Sequence, residues 1–214
     1  MTTQSIPAGK RERRPDTRPQ EIMEAAMALF TSQGFRATTL DQVADAAGVT
    51  KGAIYHYFDG KEDLLLQAMY LWFDNKMTML EDPAIETTGP ASARLRLMIR
   101  RMWEDWIDEN TLAFIRLLEG ELVPDFPDIV IKWHEEKVTP VYDRLETIIE
   151  LGQESGEFRK DLDGEVFGPF LVAAVTEVSR IRFFKGVSSP LMTIPSDRVL
   201  DSMMDVVFRG IRDS

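Results

Sequence analysis

Thr39 and Thr50, eleven positions apart with Gly48 between them, constrain this chain more than any other feature. Each threonine stands just before a short run of helical periodicity. Leu40, Val43, Ala44 and Ala47 follow the first, and Ile54 and Phe58 follow the second. A threonine hydroxyl accepts a hydrogen bond from an otherwise orphaned N–H of a helix's first turn, so each marks a helix start. Glycine, with no Cβ, ends the first run in a turn. Upstream, Ile22, Ala25, Ala26, Leu29 and Phe30 recur at helical spacing from Arg18, and Gly34 closes that run near Gln33. The chain thus opens with three helices. The short, sharp connection sets the last two at a steep angle, which predicts a helix-turn-helix over residues 39–58.

The third helix has two unlike sides. At about 100° per residue, Lys51, Gly52, Tyr55 and His56 fall roughly opposite Ile54 and Phe58. The apolar side, with Val49, packs onto the first helix through Leu29 and Phe30, and Tyr57 falls nearer that buried side. The outer side offers a cation, a glycine that permits close approach and aromatic hydrogen-bonders. That mixture suits a DNA major groove, where donors meet base edges and rings meet thymine methyls. Thr39 and Thr50, with helix N-terminal amides, either cap alone or also hold phosphates. Lys61, opening a fourth helix that runs to about Leu80, is placed for another phosphate.

The run TTLDQVADAAGVTKGAIYHYFDGKEDLL at residues 38–65, preceded by EIMEAAMALFTSQGF at 21–35, resembles the N-terminal domain of the TetR family of bacterial regulators. The resemblance covers about fifty residues, with glycines, threonine caps and the aromatic cluster in register. It implies base or groove contacts from Lys51, Gly52 and Tyr55, and phosphate contacts from Thr39, Thr50, His56, Tyr57 and Lys61. The family often carries histidine then phenylalanine where this chain has Tyr57-Phe58. The resemblance also implies a C-terminal domain that dimerises and binds a small molecule.

Beyond that module the chain stays helical. Segments 91–108, 111–122, 129–154, 164–185 and 196–212 all show helical periodicity between Pro and Gly breaks. Pro140 should kink or split its segment, and Pro169 could do the same. The fold class is all-α: a three-helix helix-turn-helix domain at 16–62 and a helical bundle at 63–214, after a disordered basic arm at 1–15. Val166, Phe167, Phe170, Leu171, Ala174, Val175 and Val178 widen one apolar face. Val199, Leu200, Met203, Met204, Val207 and Ile211 make another. The two faces form either a four-helix homodimer seam or an internal core. Met69, Trp72, Phe73, Met98, Met102, Trp103, Phe114, Trp133 and Phe170, with Glu177, are candidate walls for an apolar or aromatic effector, although any one of these residues taken singly reads more readily as plain core.

Charge distribution reconciles a net charge of −11 with a nucleic-acid partner. Residues 1–20 hold five basic and two acidic side chains, residues 1–60 hold seven of each, and residues 61–214 hold 18 basic and 29 acidic. A neutral module on an acidic body touches DNA with one end only, weakly and with strong salt dependence. The 214 residues contain no cysteine and two histidines, with no phosphate loop, nucleophile elbow or His-x-x-x-His spacing, so no catalytic residue, metal site or cofactor is expected. No signal peptide or membrane span is legible, which suits a soluble cytoplasmic protein. The reading is a ligand-released dimeric repressor on a palindromic operator; a DNA-binding activator or effector-independent repressor is the alternative.

Overall fold

A computed structural model describes residues 17–78, 89–105, 108–183, 189, 191 and 193–212 of the chain. The basic arm expected at 1–15 lies outside the described residues. The described residues form helices joined by turns and loops, and their only β-type pairing is one isolated bridge between Phe158 and Arg212. None of their helices is long and apolar enough to cross a membrane, and no group of three or more His, Asp or Glu among them could hold a metal ion.

Three helices form the N-terminal head: α1 (Arg18–Gln33), α2 (Leu40–Ala47) and α3 (Lys51–Tyr57). α2 starts with a reciprocal cap. Thr39 Oγ accepts from the Gln42 N–H while the Gln42 side chain accepts from the Thr39 N–H at 2.8 Å. Gly48 ends α2 in the left-handed region at φ 64°, where a side chain would be strained, and Thr50 caps α3 through the Ala53 N–H at 3.2 Å. The sharp turn between α2 and α3 is therefore fixed locally. Ile22, Ala26, Phe30, Val43, Ala44, Ile54 and Phe58 are buried at the centre of the head, so each helix's apolar stripe faces the other two.

The body begins with α4 (Lys61–Met77), which packs along α1 and ties head to body. It continues with α5 (Ala91–Asp105), α6 (Glu109–Leu117), α7 (Pro127–Trp133), α8 (Thr139–Ser155), α9 (Gly164–Phe183) and α10 (Ser196–Ile211). Two segments read as single helices are interrupted. α6 passes into a wider π turn at Leu118–Leu122 and a short helical turn at Val123–Asp125, and α7 passes into a second π turn at His134–Val138. Pro140 stands at the start of α8, where its missing N–H costs no hydrogen bond, and the π turn takes up the misfit before it. Pro169 behaves differently, since α9 runs unbroken through it.

Candidate nucleic-acid interface

α3 is only seven residues long, and its stability depends on caps and anchors. Ile54 and Phe58 are buried, pinning one side to the head core, while Lys51, Gly52, Tyr55 and His56 are exposed on the other. Tyr55 keeps 57% of its surface in solvent. An apolar ring that open, on a helix held so firmly, is presented outward. The structure corrects the placement of Tyr57, which is 40% exposed rather than turned to the core. The cause is Phe58: its extended backbone takes the core position, so Tyr57 swings out to meet the His56 ring edge-on at 4.9 Å.

In the free chain the cations of this surface are engaged. Lys51 Nζ lies 2.9 Å from Asp41 Oδ2 on α2, a hydrogen bond that raises the lysine pKa. Lys61 differs from expectation. Its Nζ sits 4.4 Å from the Phe35 ring centroid and 3.4 Å from the Arg36 carbonyl oxygen, and burial lowers its pKa. In the free chain Lys61 is drawn onto the α1–α2 loop instead of reaching into solvent. The Thr39 and Thr50 hydroxyls are exposed but already accept their capping bonds. Gly52 is different again: a Cβ built there would meet nothing nearer than the Thr50 hydroxyl, at 3.9 Å.

The α1–α2 loop is also gripped from the body, which sequence reasoning did not find. Glu121, in the first π turn, accepts the backbone N–H groups of both Phe35 and Arg36, the former at 2.9 Å. Arg36 pairs with Asp125 at 3.0 Å, and the Phe35 ring meets Phe126 edge-on at 4.9 Å. Gly34 makes room at φ 94°, since a Cβ there would come within 2.9 Å of the Glu121 carboxylate. These partners lie some 85 positions apart, beyond any local pattern.

Among the candidate pocket residues, Met69, Phe73, Met98, Met102, Trp103, Phe114 and Trp133 are buried in the body, and Trp72 is half-buried. Phe114 stacks on Trp72 at 4.1 Å and meets Trp133 at 5.6 Å, while Trp133 meets Phe73 at 5.6 Å. The Trp133 indole N–H is buried and finds no hydrogen-bond partner among the described residues. Phe170 and Glu177 are corrected out of this group. Phe170 is 62% exposed, and Glu177 is exposed and bonded to Arg180 at 2.8 Å, because both occupy the outer stripe of α9 while Leu171 and Val175 face inward. A cleft of about 460 Å³ opens between α1, α4 and the start of α6, with Met23, Met27, Leu71 and Trp72 along its walls and the Lys76–Asp108 ion pair at its edge.

Residues 22–68 match the profile of bacterial regulatory proteins of the tetR family. The chain is 27% identical over 195 residues to the HTH-type transcriptional repressor KstR2 of Rhodococcus jostii (strain RHA1), covering 91% of each chain. Its fold is similar to the fatty acid degradation regulator FadR from Bacillus halodurans, at a TM-score of 0.71 and 18% identity over 92% of this chain and 97% of that one. It is also similar to FadR from Bacillus subtilis, solved in complex with stearoyl-CoA, at a TM-score of 0.68 and 23% identity over 86% and 97%.

Proposed function

Because this chain belongs to the TetR family of bacterial transcriptional regulators, we propose that it is a dimeric repressor that reads a palindromic operator with α3 and releases it when a small molecule enters the helical body. Gly52 carries the DNA reading. Glycine inside a helix costs about 1 kcal/mol relative to alanine. The described residues supply no packing reason for the missing Cβ at 52. A DNA groove wall pressed against α3 supplies one. Lys51 and Tyr55, one turn apart beside it, then reach base edges, while Thr39, Thr50, His56 and Tyr57 meet phosphates. Lys61 joins them only by leaving the Phe35 ring.

In this reading residues 16–62 are the DNA-binding unit and 63–214 bind ligand and dimerise. Two exposed stripes support the dimer. Val166, Phe170 and Ala173 follow one line on α9, and Val206 and Gly210, flanked by the half-buried Met203, follow another on α10; Val166 and Val206 are 64% and 73% exposed. Two copies meeting through these stripes make a four-helix seam that hides them. The paired α3 helices then stand about 34–36 Å apart, one turn of B-DNA.

The effector is apolar and carries an oxygen acceptor. Support comes from the Trp133 N–H, a buried donor with no partner among the described residues, on a ring that touches the stacked Trp72–Phe114 pair. A neighbour in fold holds stearoyl-CoA, a long apolar chain with a carbonyl. Trp72 forms a wall of the α1–α4 cleft, so a ligand displacing it changes how α4 lies on α1 and respaces the two heads. A differential affinity of about 1–3 kcal/mol changes operator affinity roughly 5–150-fold.

Selection of binding sites from random duplexes tests the reading. The wild-type chain should enrich a palindrome with half-sites one helical turn apart. Tyr55→Ala should remain folded and dimeric and enrich nothing. Equal enrichment by that variant would remove α3 from the contact surface.

A further inference from the structure

Between α5 and α10 lies a groove of about 440 Å³ that neither the DNA reading nor the effector reading uses. Arg96, Arg100, Arg209 and Arg212 wall it, with Asp201 and Asp205 along one side and Met204 and Phe208 beneath. Four arginines converge here in a chain with 36 acidic and 25 basic side chains.

Arg96 decides what the groove is for. Its guanidinium carbon lies 3.8 Å from the centroid of the buried Phe208 ring, and Nη1 is 3.9 Å from Met204 Sδ. Among the described residues it has no carboxylate within ion-pair distance, although two aspartates line the same groove. A half-buried cation normally takes a carboxylate partner to recover lost hydration. Here a ring face and a sulfur recover part of it. A thioether is a weak acceptor, so the donor edge of the guanidinium stays poorly satisfied. The neighbouring charges are arranged to leave it so. Asp205 is occupied by Arg209 at 2.8 Å, Arg100 leans on Glu104 at 3.8 Å, and exposed Arg212 has no ion pair among the described residues. Among the described residues Arg96 and Arg212 thus face the groove against Asp201 alone, leaving local positive charge in an acidic protein.

A guanidinium fork pairs with carboxylates and phosphates alike, and two such forks facing one carboxylate favour the more highly charged phosphate. We propose that this groove binds the phosphate group of a small phosphorylated ligand, with Arg96 as the stacked, pre-oriented donor and Arg212 as the second clamp. On α10 the groove flank, Asp201–Asp205–Arg209, lies about a third of a helical turn from Val206. The proposed dimer therefore leaves it open, and the site does not depend on the DNA-contact assignment.

Calorimetric titration of the full chain with inorganic pyrophosphate, and separately with inorganic phosphate and ADP, tests this at low salt. Saturable binding of pyrophosphate is expected, about tenfold weaker in Arg96→Gln and in Arg212→Gln, the loss of one charge-assisted hydrogen bond. Arg212 is exposed, so its variant keeps the fold if Arg96→Gln does not. Asp201→Asn should bind more tightly, which a purely structural role for these side chains would not produce. Tighter binding of ADP than of pyrophosphate would identify an organic phosphate as the occupant, and equal or weaker binding the free anion. No binding by the wild type up to millimolar concentrations would overturn the proposal. So would equal binding by both arginine variants, or loss of binding in Lys51→Ala, which would move the anion to the head.

Discussion

Glu121 and Phe35 are 86 positions apart in the chain and 2.9 Å apart across a hydrogen bond, carboxylate to backbone N–H. With the Arg36 N–H on its other oxygen, one body side chain holds the loop that precedes α2. The carboxylate projects from a π turn, whose wider winding displaces the residues after Leu117 from the line of α6. In Glu121→Ala both N–H groups lose their acceptor. About 1–2 kcal/mol of stability should go with it, since a hydrogen bond to a charged group is stronger than average. Amide exchange at residues 34–37 should accelerate while that of α8 stays unchanged. Unaltered exchange in the loop would show that the grip contributes nothing.

Asp41 restrains the recognition surface. Its carboxylate holds Lys51 Nζ at 2.9 Å and adds a negative charge beside α3. Asp41→Asn should raise affinity for non-specific duplex DNA, by roughly three- to tenfold at low salt, because one cation is released and one repulsive charge removed. Fluorescence anisotropy with a labelled duplex measures it. A drop in affinity would mean that Asp41 positions Lys51 for DNA instead of withholding it.

Gly152 separates two opposite expectations. Helix propensity says that Gly152→Ala in α8 stabilises by up to about 1 kcal/mol. Packing says otherwise: a Cβ would overlap the Phe158 ring, which is fully buried and anchors the segment bridging to Arg212. Displacing that ring should cost about 1–3 kcal/mol net in urea unfolding. A stabilised variant would mean that Phe158 moves freely.

Glu157 caps α5 from across the body, accepting the Ala91 N–H at 2.8 Å, the Ser92 N–H at 3.0 Å and the Ser92 hydroxyl. Burial alone would raise its pKa, but these donors outweigh it and hold the carboxyl below the ordinary range. A lower pKa in the folded state means that the cap contributes fully above the unfolded value of about 4.3 and fades as pH falls through the folded one. Glu157→Gln should therefore be less stable than wild type at neutral pH, by about 1 kcal/mol as for other caps. The gap should close on acidification below about pH 4. A gap that stays constant with pH would show that charge plays no part.

The head was legible because everything that shapes it is local. Thr39 with Gln42, Gly48 and Thr50 each act within four residues, so spacing alone predicts α2, the turn and α3. The outward set Lys51, Gly52, Tyr55 and His56 follows from helical geometry once Ile54 and Phe58 are assigned to the core. Tyr57 was misplaced because it is the last residue of α3: the helix wheel sets it beside the buried stripe, but the extended Phe58 that follows takes the core position. In the body, periodicity reports only that a residue faces something apolar. It could not separate Phe170, on the outer stripe of α9, from Leu171, next to it in the core.

The order of amino acids alone thus determined the helices of the head, their caps and the chemical character of α3, since hydrogen bonds and rotation per residue operate within a few positions. Only the tertiary structure decided that Glu121 grips the loop at Phe35, that Lys61 turns inward and that Arg96 rests on Phe208 with no carboxylate partner among the described residues. Each of these depends on where remote segments come together. Such meetings are set by the packing of the whole core and leave no spacing along the chain.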